Sequence, residues 1–260
     1  MVLVRRLEDS GAVIVGGTAG IGLHSALALA RAGVKDIVLV GRSAERAGRA
    51  KEAFAAAGLA EPSYVQGDAG TADGAIEIIE AARALLPALD ILITSVAADV
   101  EPTLFKDIPT DDIARTLTSL ALPGMQLASA ALPSMRAQGG GTIINVASDA
   151  GKTATPGEAV IGAAKAALIM FTRSIAIEEK RHGIRANVLT PSLVHGTDST
   201  ERITSGGSFS AKLFASAAKQ AALGVPDADD VGALAAFLCS PEAARLTGQA
   251  ISVNGGISAA

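Results

Sequence analysis

Gly16-Gly17-Thr18-Ala19-Gly20-Ile21-Gly22 stands between a short β-rich run, Val13-Ile14-Val15, and a stretch of helical spacing that continues to residue 32. Few folds accept four glycines in seven residues at that junction. The turn must be sharp, the backbone must come close to something, and the helix that follows must begin with its N–H groups free. That is the arrangement in which a pyrophosphate sits on amide donors and the positive end of a helix dipole. The rest of the chain repeats the rhythm. Short apolar runs at residues 12–15, 36–40, 63–66, 90–94, 142–147, 185–189 and 250–253 alternate with amphipathic stretches at 21–32, 44–57, 72–86, 110–138, 157–180 and 227–239. Alternation of this kind predicts an α/β fold with a doubly wound, mostly parallel sheet flanked by helices.

No linker or composition shift divides residues 1–260, so one domain is expected. Residues 192–220, with Gly206-Gly207 and little early periodicity, read as a mobile substrate loop ending in a short helix. A net charge of −4 without a basic stripe, and 3% aromatic residues without Trp, argue against nucleic acid as a partner. A single cysteine, Cys239, excludes an intrachain disulfide, and the N-terminal residues lack a long apolar segment with a cleavage site. A cytoplasmic protein is expected. Mean hydropathy is +0.40, yet no window reaches the roughly 18 uninterrupted apolar residues of a membrane span. The apolar excess therefore belongs to a buried sheet and to subunit contacts, which predicts a homotetramer or homodimer and no membrane partner.

Within the glycine-rich turn, Gly16, Thr18, Gly20, Ile21 and Gly22 are the candidate ligands of a dinucleotide. A carboxylate at the end of the second strand selects the free adenosine ribose of NAD; here that strand is followed by Gly41-Arg42-Ser43. The Arg42 guanidinium and the Ser43 hydroxyl suit a 2′-phosphate, so NADP(H) is the expected cofactor, ahead of NAD(H). Asp68, after the third strand, is a candidate acceptor for the adenine amino group or simply a turn former.

Four further segments, Gly139 to Ser148, Ala163-Ala164-Lys165-Ala166-Ala167-Leu168, Gly183-Ile184-Arg185-Ala186-Asn187-Val188 and Leu246 to Gly256, complete a pattern that resembles the short-chain dehydrogenase/reductase family. The resemblance runs from about Ser10 to Gly256. It implies a single Rossmann-type domain, NAD(P)(H) across the carboxyl ends of the strands, a small-molecule substrate and a homo-oligomer. It also implies roles for Ser148 in orienting substrate, for Lys165 in holding the nicotinamide ribose, for Ala97 beside the cofactor and for the Val194 backbone at the carboxamide.

The pattern fails at the acid. In the family a Tyr stands four residues before the Lys; here that position is Ile161, and the one tyrosine, Tyr64, falls in the third strand. The family's helical Asn corresponds to Leu120 or Ser119, its Asn-Asn-Ala-Gly to Thr94-Ser95-Val96-Ala97, and its Pro-Gly to Pro191-Ser192. Hydride reduction of a carbonyl leaves charge on oxygen that a positioned acid must neutralise, and isoleucine has no proton to give. His195, on the loop after the sixth strand, carries an imidazole suited to proton transfer and is a candidate replacement, or simply an exposed loop residue. Asp149, Glu158 and Asp99 could also reach the cleft, though each reads first as a surface charge. His24 and His182 lie on helix exteriors, and no metal-ligand cluster or nucleophile elbow occurs.

The leading expectation is an NADP(H)-dependent oxidoreductase acting on a small carbonyl, imine or enone with an altered proton relay. Three alternatives stay open. The lost Tyr and residues 192–198 resemble dienoyl-CoA reductases of the same superfamily. A nucleotide-binding subunit without redox turnover fits the eroded nicotinamide end. An isomerase, lyase or cyclase fits a cleft lined by Ile161, Leu120 and Val96.

Overall fold

In a computed structural model, residues 5–197, 200–201 and 209–260 are described. Much of the expected mobile loop, including Gly206-Gly207, lies outside them. The chain runs β1 (Gly11–Val15), α1 (Gly20–Arg31), β2 (Asp36–Gly41), α2 (Ala44–Ala56), β3 (Ser63–Gln66), α3 (Ala72–Arg83), β4 (Ile91–Thr94), α4 (Thr110–Gln138), β5 (Gly141–Val146), α5 (Ala159–Glu179), β6 (Ile184–Pro191), α6 (Phe209–Gln220), α7 (Ala228–Cys239) and β7 (Ala250–Val253). The seven strands form one sheet in the order β3-β2-β1-β4-β5-β6-β7. Every pairing is parallel, so the sheet is wholly rather than mostly parallel among the described residues.

Strand side chains alternate between two cores. Ile14, Leu39 and Ile93 pack with Leu29, Phe54, Val231 and Leu238 from α1, α2 and α7. Val13, Val38, Leu92 and Ile143 pack with Ile79, Leu127, Met135 and Ala176 from α3, α4 and α5. Helices on both faces explain why the strand sequences are almost continuously apolar.

Two helix ends differ from the sequence expectation for local reasons. The third helix ends at Arg83, because Leu86 turns back onto the Arg83 carbonyl and Pro87 disfavours helical backbone before it. The fifth begins at Ala159 rather than 157, because Gly157 has φ +86° and cannot enter a right-handed helix. The stretch Ala159–His182 is long and apolar enough to cross a membrane by length and composition. Here it buries Ala164, Leu168, Ile175 and Ala176 against the sheet.

Gly48 lies on the exposed face of α2, and a Cβ added there meets nothing within 4 Å. Gly48→Ala is expected to stabilise the protein by about 0.5–1 kcal/mol through helix propensity alone, measurable by denaturant titration. A loss of stability would show that α2 is not helical at that point.

Candidate active site

Strand order reverses between β1 and β4, so the carboxyl ends of those strands open the crevice in which α/β sheets bind ligands. The glycine turn forms one wall. Gly16 and Gly17 donate to the Val40 carbonyl at 2.9 and 3.2 Å, and Ser95 donates to the Val15 carbonyl at 2.8 Å, which ties β1, β2 and β4 together at the turn. Gly16 has φ +78°, and a Cβ there would stand 2.2 Å from the Ser95 carbonyl oxygen. A Cβ on Gly22 would stand 2.2 Å from the Gly16 carbonyl oxygen, so the first turn of α1 rests directly on the loop.

Ala19, the residue capping α1, provides no side-chain acceptor. The first N–H bonded back into the helix is that of Leu23, to Ala19. The amides of Gly20, Ile21 and Gly22 are thus donors in search of an anion, which is what a pyrophosphate supplies. Thr18 is nearly buried and packs on Gly41, its Oγ1 2.8 Å from where a Cβ would stand, so its side chain braces the turn against β2. One neighbour escaped the sequence reading. Thr197 brings its Cγ2 to 3.5 Å from the position of a Cβ on Gly20, so the chain after β6 closes over the phosphate turn.

At the end of β2, the Arg42 side chain is exposed and its guanidinium has no ion-pair partner among the described residues, while its carbonyl accepts from Gln66 Nε2 at 3.1 Å. Ser43 Oγ accepts from the Arg46 N–H at 3.3 Å and caps α2, leaving its own proton to donate. Asp68 is exposed, and its Oδ1 accepts from the Gly70 N–H at 3.0 Å. The turn-forming role is therefore present, with Oδ2 left over. Ala97 is exposed in the loop after β4.

The opposite wall is built by β5 and α5. Ser148 follows β5, and its Oγ accepts from the Ala150 N–H at 3.2 Å, so the hydroxyl proton points elsewhere. Lys165 is 7% exposed and donates to the Val146 carbonyl at 3.5 Å. Burial holds its ammonium down to about 8. Close packing fixes the two elements: a Cβ on Gly162 would stand 2.6 Å from the Ala150 carbonyl oxygen, and one on Gly151 2.9 Å from the Lys165 carbonyl carbon. Ile161, half-buried, stands one turn before Lys165.

Of the acids read first as surface charges, one is buried and one half-buried. Asp149 is 4% exposed, and its Oδ1 accepts from Ser258 Oγ at 2.6 Å and Asn254 Nδ2 at 3.4 Å, which anchors the Ser148 turn to the segment after β7. Glu158 is half-buried where α5 begins, and burial followed by the Asp149 charge pushes its carboxyl up to about 7. Asp99 is exposed, as expected.

His195 shows the reverse. Its side chain is exposed; its backbone N–H donates to the Pro226 carbonyl at 2.9 Å, and no hydrogen bond joins its ring to Ser148 or Lys165 among the described residues. Val194 is buried in the core, and its carbonyl accepts from Thr197 Oγ1 at 3.2 Å. Tyr64 sits on the outermost strand, donates to the Gly41 carbonyl at 2.9 Å and lies four strand spacings, roughly 19 Å, from β5. It cannot stand in for the residue missing at 161.

The family model described as enoyl-(acyl carrier protein) reductase matches residues 16–258. The chain belongs to the short-chain dehydrogenase/reductase family. It is an oxidoreductase of that type, similar along its length to curated members. It is 32% identical over 258 residues to the oxidoreductase asL5 of Sarocladium schorii, covering 99% of both chains. To the 3-oxoacyl-[acyl-carrier-protein] reductase of Synechocystis it is 31% identical, covering 95% of this chain and 96% of that one. The crystal structure of a gluconate 5-dehydrogenase from Burkholderia cenocepacia in complex with NADP and tartrate superposes with a TM-score of 0.86 at 27% identity, over 97% of this chain and 96% of that one. None of these likenesses favours the non-redox alternatives.

Proposed function

We propose that this short-chain dehydrogenase/reductase is NADP(H)-dependent and interconverts a small carbonyl, imine or enone and its reduced form without a tyrosine acid. The observation that carries the reading is the buried Lys165 ammonium at the foot of the cleft. A cation costs several kcal/mol to hold there, and the ribose hydroxyls of a cofactor would give it the partners that Val146 alone does not. When bound, the nicotinamide supplies or takes up a hydride. Ser148 would donate its free hydroxyl proton as a hydrogen bond to the substrate oxygen. Gly20, Ile21 and Gly22 would hold the pyrophosphate on their amides, and Arg42 and Ser43 the 2′-phosphate. Asp68 and Ala97 would flank the adenine and ribose, and the Val194 segment the carboxamide.

Other expectations join this proposal. Exposed Met170 and Ile177 on α5 and Leu122 on α4 support a homo-oligomer, and a buried Cys239 thiol, pushed up to about 12 by burial, is compatible with the cytoplasm.

Titration with NADPH and NADH, followed by protein calorimetry, tests the cofactor reading. Arg42→Ala is expected to weaken NADPH by about 10-fold or more, the worth of a charge-assisted hydrogen bond, and to leave NADH unchanged. Equal losses for the two cofactors would remove Arg42 from the phosphate site, and no affinity for either would end the reading.

A further inference from the structure

The cofactor reading proposed above, on which this inference rests, gives Arg42 the 2′-phosphate and leaves open what holds that arginine in place. We propose that Tyr64 and Gln66 are its positioning residues: they fix the backbone from which the Arg42 guanidinium reaches the phosphate, and so set the preference for NADP(H) over NAD(H).

The chain leaves β2 and enters α2 over residues 40–43, and every carbonyl of that passage accepts a hydrogen bond. The Val40 carbonyl takes the Gly16 and Gly17 N–H groups of the glycine turn, and the Ser43 carbonyl takes the Ala47 N–H as α2 begins. The two between them are served from β3. Tyr64 Oη donates to the Gly41 carbonyl at 2.9 Å, which also takes the Gly67 N–H at 3.1 Å, and Gln66 Nε2 donates to the Arg42 carbonyl at 3.1 Å. Tyr64 and Gln66 are two residues apart on one strand, paired with Leu39 and Gly41, so both side chains stand on the same face of the sheet. The Tyr64 ring packs on the core cluster that contains Leu39 and Phe54, which decides where its hydroxyl ends. Thr18 closes on Gly41 from the glycine turn, its Oγ1 2.8 Å from where a Cβ would stand.

The Arg42 side chain contrasts with its main chain. It is exposed, and its guanidinium makes no ion pair among the described residues. An arginine whose peptide is held and whose fork is unspent is preorganised for an anion, since binding then orders the side chain alone. Gln66 is itself exposed, on the outermost strand, where water could satisfy the same carbonyl. Its amide therefore supplies fixity rather than a partner that would otherwise be missing. Through Val40 the bracket is also tied to the glycine turn, so the pyrophosphate site and the 2′-phosphate site are built on one hydrogen-bonded piece of backbone. The one tyrosine of the chain thus serves the adenosine end of the cofactor.

Calorimetric titration with NADPH and NADH tests the assignment on wild type, Tyr64→Phe, Gln66→Leu, Arg42→Ala and the two double variants that combine Arg42→Ala with each of the others. Tyr64→Phe and Gln66→Leu are each expected to weaken NADPH by about 2- to 10-fold, the worth of a neutral hydrogen bond, and to leave NADH unchanged. Unchanged NADH affinity also shows that the site is folded. Because both residues act through Arg42, neither substitution should weaken NADPH further once Arg42 is alanine. General loosening of the sheet edge would not give that non-additivity. Equal losses for NADPH and NADH, no loss with either, or losses that persist in the Arg42→Ala background overturn the inference. The cofactor reading then still stands if wild type prefers NADPH and Arg42→Ala removes the preference. Wild-type protein that binds NADPH no better than NADH overturns both.

Discussion

Lys165→Met is expected to make the cofactor-free protein more stable and to weaken its binding of NADPH. The ammonium is buried, with one hydrogen bond at 3.5 Å, and its descent from 10.5 to about 8 corresponds to roughly 3 kcal/mol of penalty for the charged form. The sign follows from proton counts. Below about 8 both folded and unfolded chains carry the proton, and the penalty is full. Between about 8 and 10.5 the unfolded chain binds more protons than the folded one, so wild-type stability rises with pH. Above 10.5 the penalty is gone. Methionine of similar length removes the charge and fills the space. Urea titrations at neutral pH should therefore favour the variant by up to about 3 kcal/mol, with the gap closing in alkali, while NADPH affinity drops by about 10- to 100-fold through loss of charged hydrogen bonds. A variant less stable than wild type at neutral pH would mean that Lys165 has structural partners other than Val146. Undiminished affinity would take it out of the cofactor site.

Gly16→Ala should damage both the fold and the site. A left-handed residue with a Cβ costs about 1–2 kcal/mol by itself. Here the Cβ also meets the Ser95 carbonyl oxygen at 2.2 Å, where contact requires about an ångström more. Relief must come from moving the turn or the end of β4, and these are bonded to each other through Val15 and Val40. A fall in the thermal midpoint of about 5–10 °C is expected from strain of a few kcal/mol in a chain of this size. The amides of Gly20, Ile21 and Gly22 leave their common aim, so NADPH binding should drop by more than about 100-fold, the loss of two or more charge-assisted hydrogen bonds. Thermal melts with and without NADPH read both effects. A variant that melts with wild type and is still stabilised by NADPH would show that the turn has room that the described geometry denies it.

Much of this was legible from residues alone, because the signals are local. Apolar runs of strand length alternating with helical spacing need no tertiary information, and a glycine cluster between the first two elements admits few conformations. The failures have physical causes too. Asp149 and Glu158 look like ordinary solvated acids, since nothing nearby in the chain reveals that Ser258 and Asn254, more than 100 residues away, close over one of them. His195, open in the sequence between a proton donor and an exposed loop residue, has its side chain exposed and its backbone bonded to Pro226. Thr197 against Gly20 depends on how the chain leaves β6, which no local signal encodes.

Periodicity and glycine placement, then, determine by themselves that this protein is an α/β fold with a doubly wound, mostly parallel sheet and a sharp glycine turn at the start of its first helix. Steric and hydrogen-bonding rules acting over a few residues suffice for that. Which acids are buried, which cation lacks partners and which groups share the cleft were decided by the packing of β5, α5 and the segment after β7. Charge states depend on desolvation and on through-space neighbours, and those are properties of the assembled chain.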